Sequence, residues 1–158
     1  AMYLSENHDR QRALDVVRAS SSLPFVSKIV EVDGIPMLDG GIADSIPVQH
    51  AIDMGWQHNV VVLTRNKGWR DMGKDHKIPY LYKNYPRLRV ALSHRHRAYN
   101  EQIQLVDDLE AAGKITCIRP IRPLEVGRIE KNTDKLERLY EEGFMLGEAF
   151  CEKCVEKE

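Results

Sequence analysis

The 158 residues contain no run approaching the roughly 20 apolar residues that a membrane-spanning helix needs, and the amino-terminal stretch AMYLSENHDRQR has no apolar core of the kind a secretion signal carries. Those two absences point to a soluble, unexported chain and a cytoplasmic location. Charge of one sign is also missing. Twenty-three Lys and Arg stand against 24 Asp and Glu, a formal net charge of −1, which leaves no overall field to attract nucleic acid or an anionic membrane. Cysteine is scarce and odd in number: Cys117, Cys151 and Cys154 do not make a disulfide framework and fit a reducing compartment. Internal repeats and low-complexity tracts are lacking too, and Ala1 ahead of Met2 reads as a residue left by cloning. What is present, 42% hydrophobic and 30% charged residues, is the composition of a globular domain that buries a real core.

Hydrophobic periodicity divides the chain. Residues 8–19 place Ala13, Val16 and Val17 on one side of a helix, and SSSLP at 20–24 breaks it. KIVEVDGIPMLDGG predicts a hairpin that turns at Asp33-Gly34 and ends its second strand at Asp39. Asp44 and Ser45 precede Pro47 as capping residues, and Val48, Ala51, Ile52 and Met54 follow at helical spacing up to a stop near Gly55. NVVVLT at 59–64 is an unalternating β-branched run, the mark of a parallel strand covered on both faces, and ITCIRP at 115–120 is a second. Between them lie a polar loop at 65–78 and a helical stretch from about Pro86 to Ala112, which makes an enlarged, right-handed β-α-β unit. A closing helix carries Leu136, Leu139, Tyr140, Phe144 and Ala149 as its stripe, with Asn132 or Thr133 as its cap.

Asp39 is the leading candidate for chemistry. A carboxylate at a strand end followed by Gly40 and Gly41 sits in a turn where absent Cβ atoms let another segment or a substrate come close, and strand ends of α/β sheets are where sites collect. The plain alternative is an ordinary turn, since Asp-Gly is a common turn dipeptide. Asp44 is a rival acid better explained as a helix cap, and Ser20, Ser21 and Ser22 lack flanking glycines and read as a helix terminus. HRHR at 94–97, with Arg87 and Arg89 near it, reads as a solvated helix face. His50 and His58 stand alone, and His94 and His96 point to different helix faces, so no metal site is expected. CEKC at 151–154 has no second half-site at zinc spacing.

The longer pattern from 19 to 64 resembles the carboxyl-terminal half of the patatin-like phospholipase family: Ala-Ser-Ser-x-x-Pro, a hairpin, Asp-Gly-Gly, a polar residue, Pro, a helix ending in Gly, and a hydrophobic strand. The resemblance implies a three-layer α/β/α fold, with this chain holding the later, mainly parallel strands and a helical extension. It also implies a serine hydrolase of (phospho)lipid or other carboxylic esters that needs no metal or organic cofactor. In that family the acid of Asp-Gly-Gly pairs with a serine in a Ser-Asp dyad, and the match carries the role of base onto Asp39, with Gly40 and Gly41 shaping its turn. A serine hydroxyl is a poor nucleophile until a base within hydrogen-bond reach takes its proton.

The family's Gly-x-Ser-x-Gly elbow and its glycine-rich oxyanion loop occur nowhere in these residues. The expectation is therefore a carboxyl-terminal fragment of a longer, bacterial-type hydrolase, inactive alone, with a non-catalytic lipid- or protein-binding remnant as the alternative. On this reading 1–66 is the later part of the catalytic core, 67–120 the polar loop, crossover and final strand, and 121–158 a helical extension. The expected partners are an ester or lipid substrate, a peripheral membrane contact, and the missing amino-terminal half or a second copy across the open sheet; nucleic acid is not expected.

Overall fold

The computed structural model describes residues 1–5, 8–73, 82–127 and 129–155, with Cys154 and Val155 described by their backbone alone. Among these residues the architecture is mixed α/β: four helices and two two-stranded sheets, one antiparallel and one parallel. The chain forms two compact units, Ala1–Pro47 with Asp71–Ile103, and Val48–Arg70 with Gln104–Glu158.

In the first unit, α1 (Arg10–Ser20) starts where the carboxylate of Asp9 accepts the amides of Gln11 and Arg12 at 2.9 and 3.1 Å, which meets two of the donors a helix start leaves open. It ends where Ser21 and Ser22 turn their hydroxyls back onto the carbonyls of Val17 and Arg18. The three serines are thus a helix terminus, as expected. Strand β1 (Val30–Val32) pairs antiparallel with β2 (Ile35–Met37) in the register Val30 to Met37. Asp33 and Gly34 link them with φ of 52° and 76°, the left-handed pair that a two-residue turn matching strand twist requires. Arg12 grips Asp33 from α1, its Nη2 2.8 Å from Oδ2. Ala19, Val30 and Val32 form the buried centre, with Leu4, Val16 and Met37 packed on it. Val17, expected to face inward, is 63% exposed. The hairpin lies against Val16 and Ala19, three residues apart, and Val17 is a further 100° around the helix.

In the second unit, α2 (Val48–Asp53) ends before Gly55, whose φ of 91° and the Trp56 amide bonded to the Ala51 carbonyl at 3.1 Å close the helix end. Strand β3 (Asn59–Val62) pairs parallel with β4 (Ile115–Ile118), Asn59 opposite Ile115. The expected cover on both faces of β3 is not found: Val60 and Val62 are 48% and 70% exposed while Asn59 and Val61 are half-buried. Side chains alternate across a strand, and α2 and α4 lie against a sheet two strands wide, so among the described residues Val60 and Val62 are left uncovered.

Helix α3 (Pro86–Ala111) contributes to both units, with Ile103 and Val106 buried. Helix α4 (Thr133–Val155) is capped by Asn132, which accepts the Lys135 amide at 3.2 Å. Its inward stripe is Leu139, Leu146 and Phe150, half-buried; of the expected stripe Leu139 faces inward, while Leu136, Tyr140, Phe144 and Ala149 are exposed, and the rings of Tyr140 and Phe144 stack on each other at 6.2 Å. The polar loop has no regular structure from 65 to 73, apart from turns, and its continuation from 74 to 78 lies outside the described residues. Among the described residues no helix is long and apolar enough to cross a membrane.

Candidate active site

Two residues past β2, Asp39 caps a single 3-10 turn, Gly40–Ile42, with φ −45° and ψ 124°. Its Oδ1 accepts the Gly41 amide at 2.8 Å, its own amide donates to the Ser22 carbonyl at 2.9 Å, and its carbonyl accepts the Ile42 amide at 3.2 Å. The half-buried carboxylate is therefore tied to its own turn, and the Asp39 backbone to the end of α1. The two glycines differ. A Cβ on Gly41 would lie 3.1 Å from Asp39 Oδ1, whereas one on Gly40 would enter open space. Glycine at 41 spares the Asp39 carboxylate a tight contact; at 40 a side chain would meet no neighbour.

Asp39 and Gly40 stand on the wall of a cleft of about 620 Å³ within the first unit, a volume usual for small-molecule sites. Leu4, Val16, Met37, Ile42 and Leu88 make it largely apolar, and Asp39 and Arg87 are the charged side chains on it. Nearby serines have their hydroxyls engaged elsewhere: Ser22 on the Arg18 carbonyl and Ser45 on the Gly41 carbonyl at 2.6 Å. Among the described residues Asp39 has no serine hydroxyl as a partner.

Asp44 is not the helix cap the sequence suggests. Its carboxylate accepts the Tyr3 hydroxyl and, at 3.0 Å, Nε2 of Gln102, while Oε1 of Gln102 takes the amides of Ser45 and Ile46 at 3.1 Å each. The loop amides of Ser45 and Ile46 thus find their acceptor on a side chain 57 and 56 residues away, which no local pattern reveals. Within 94–97, His94 and Arg97 are exposed, but Arg95 points inward, its Nε donating to the Gly41 carbonyl at 3.3 Å. Cys151 is a free, exposed thiol. Among the described residues no group of three His, Cys, Asp or Glu is placed to hold a metal.

The second unit has its own cleft, about 720 Å³, bounded by Trp56, His58, Asn59, Ile115 and Phe150 at the amino ends of β3 and β4. Sites of α/β sheets gather at the carboxyl ends. At those carboxyl ends lies an ion-pair network instead: Arg119 contacts Asp107 and Glu110 at 2.8 Å each, Arg70 adds Asp107 at 3.1 Å, and Lys67 adds Glu110. Burial alone would raise Asp107, but hydrogen bonds from Arg119 and Arg70 outweigh it and hold the carboxyl below its ordinary range. Burial pushes the Cys117 thiol up, against the opposing pull of Arg119. These members come from three elements, and the sequence carried no signal joining them.

Comparison with known proteins bears on the first unit. Residues 3–52 match the model of the patatin-like phospholipase family. This segment is patatin-like. It contains Asp39, Gly40 and Gly41, while residues 85–156 match a second model described as a domain of unknown function, DUF6363. The chain is also similar to an uncharacterized protein of Escherichia coli K12, YjjU, with 29% identity over 151 residues. That alignment takes in 89% of this chain and 41% of the relative, so the chain spans about two fifths of the length of the curated protein it matches. No solved structure matches.

The patatin-like segment yields two expectations. Gly41→Ala moves the Asp39 carboxylate by a few tenths of an ångström and weakens its amide bond, lowering stability in chemical denaturation by about 1 kcal/mol, while Gly40→Ala stays within about 0.5 kcal/mol; equal effects would contradict the steric difference between them. Asp44, accepting the Tyr3 hydroxyl, with burial and the carboxylate's charge adding to it, pushes the Tyr3 pKa up to about 12. A folded-state pKa above the unfolded value of about 10 means this contact contributes its full stability below pH 10 and loses it as pH rises toward 12. Ultraviolet titration should show one late-ionising tyrosine that returns to the ordinary range in Asp44→Asn.

Proposed function

We propose that the chain is the later part of a patatin-like serine hydrolase that cleaves carboxylic esters, lipids in the first place, through a Ser-Asp dyad with Asp39 as the base. The observation that carries this reading is that the patatin-like segment holds a half-buried carboxylate on the wall of an apolar cleft, in a turn that leaves open space at Gly40. The nucleophilic serine and the oxyanion donors would come from the Gly-x-Ser-x-Gly elbow and glycine-rich loop that these 158 residues lack. The intact protein would then complete a three-layer α/β/α fold.

In the first half-reaction the Asp39 carboxylate takes the serine hydroxyl proton as Oγ attacks the ester carbonyl carbon. The tetrahedral intermediate collapses with cleavage of the carbonyl-to-alkoxy bond, and the proton held by Asp39 passes to the departing alcohol. Water then repeats the sequence on the acyl-enzyme: Asp39 takes its proton, the acid leaves, and the serine recovers its hydrogen. No metal or organic cofactor takes part. The apolar wall of Leu4, Val16, Met37 and Leu88 suits an acyl chain, which would be drawn from a peripheral contact with a lipid surface.

The missing strands would also cover β3, whose Val60 and Val62 face solvent. Alone, the chain should satisfy that face with a second copy. Sedimentation should find it above its monomer mass of 18.2 kDa unless the amino-terminal half is supplied, and Val60→Lys with Val62→Lys should return it to monomer. A monomeric wild-type chain that ignores the other half would contradict the proposal.

For catalysis, Asp39→Asn in the intact protein should abolish hydrolysis of a short-chain p-nitrophenyl ester, by about a thousandfold or more in kcat, with thermal stability nearly unchanged. The isolated chain should show no turnover. Full activity in Asp39→Asn would remove Asp39 from the mechanism, and serine-dependent turnover by the isolated chain would overturn the reading that its nucleophile lies elsewhere. An upstream sequence without the serine elbow would leave a non-catalytic lipid- or protein-binding module as the function.

A further inference from the structure

The segment matched as a domain of unknown function opens with α3, and one face of that helix meets the Asp39 turn. Leu88, Ala91, Arg95 and Gln102 follow at steps of three, four and seven, so they share one side of the helix. At its amino end this face walls the cleft with Leu88 and Ala91. Two turns further on, Arg95 donates to the Gly41 carbonyl at 3.3 Å. Another two turns on, about 10.5 Å along the axis, Gln102 accepts from the amides of Ser45 and Ile46 and donates to Asp44. The peptide units of Gly41 are thus held at both ends, the amide by Asp39 at 2.8 Å and the carbonyl by Arg95 and Ser45.

We infer that α3 of this segment is the positioning element of the Asp39 turn, and that Arg95 and Gln102 are its positioning residues. The inference rests on Asp39 being the base proposed above. A carboxylate that must lie within hydrogen-bond reach of a nucleophile loses rate steeply with small displacements. Asp39 is fixed through the Gly41 amide, and Gly41 is fixed through its carbonyl and the loop to Ile46. Releasing Gln102 frees two amides and one carboxylate in that loop without touching Asp39 itself. The opposite side of α3 supplies an internal control: Asn100 makes two bonds of similar length, to the Asp71 amide at 2.7 Å and its carbonyl at 2.9 Å, away from the turn.

Two measurements decide the matter. In this chain, Gln102→Leu should speed amide hydrogen exchange at Gly41, Ser45 and Ile46 by about tenfold or more, as expected for the loss of several hydrogen bonds, with α1 and α4 unchanged. Asn100→Ala should leave those three amides alone. In the intact protein, Gln102→Leu and Arg95→Met should lower kcat about tenfold with KM within about twofold, and Arg95→Lys should recover most of the loss by keeping a donor at the Gly41 carbonyl. Unchanged exchange at the turn, or equal acceleration across the whole chain, overturns the inference. So does an unchanged kcat in a variant whose turn has loosened. Absence of ester hydrolysis in the intact wild-type protein would instead remove the dyad reading, and the exchange experiment would still decide whether α3 holds the turn.

Discussion

The peptide groups on either side of Gly41 are where the first unit is most heavily tied. Its amide serves the Asp39 carboxylate, and its carbonyl receives the Ser45 hydroxyl at 2.6 Å and the Arg95 guanidinium at 3.3 Å. Everything around it follows from keeping those groups satisfied. A Cβ on Gly41 would crowd Asp39 Oδ1, so glycine is favoured at the position. The Asp39 amide needs an acceptor outside its own turn and finds the Ser22 carbonyl, which requires α1 to end where its serines end it. Because a polar group buried without a partner costs more than a made bond contributes, this arrangement resists partial dismantling.

The second unit shows the same rule with charges. Arg119, whose side chain is 9% exposed, is balanced by Asp107 and Glu110, and each of those carboxylates carries a second cation, Arg70 or Lys67. Removing Asp107 would leave the buried Arg119 short of a partner, which is costly even where the intact network adds little net stability. The network fills the carboxyl ends of β3 and β4, where sites of α/β sheets gather, with the protein's own side chains.

Elements carried by short-range pattern were legible in the sequence. Asp33-Gly34 announced a hairpin because few residues accept two left-handed φ values in succession, and the β-branched runs announced a parallel pair. Faces were harder. Val17 and Tyr140 satisfy a helical period, yet each lies about one position from the residue that packs, since a period gives spacing and not the direction of the neighbour. Val62 looked like the interior of a sheet because its composition fits a covered strand, whatever number of strands is present to cover it. Asp39, Gly40 and Gly41 could be named from a local motif, but Gln102 and Arg95 could not: their partners are more than fifty residues away, and a basic or amide side chain on a helix usually faces water.

That difference bears on how the bland reading of Asp39 should be judged. An Asp-Gly turn that merely reverses the chain needs only its own side chain and amide, and the bond from Gly41 to Asp39 would meet that need. Here the turn is also held by a carbonyl from the end of α1 and by two side chains on one face of α3, while the space beside Gly40 stays open on a cleft. Restraint on every side except one suits a group that has to meet something arriving from that side. A Cβ at position 40 would meet nothing within 4 Å, so Gly40→Ala reduces the flexibility of the unfolded chain at no steric cost. The bonds from α1 and α3, more than the Asp-Gly dipeptide, therefore separate this turn from one that only reverses the chain.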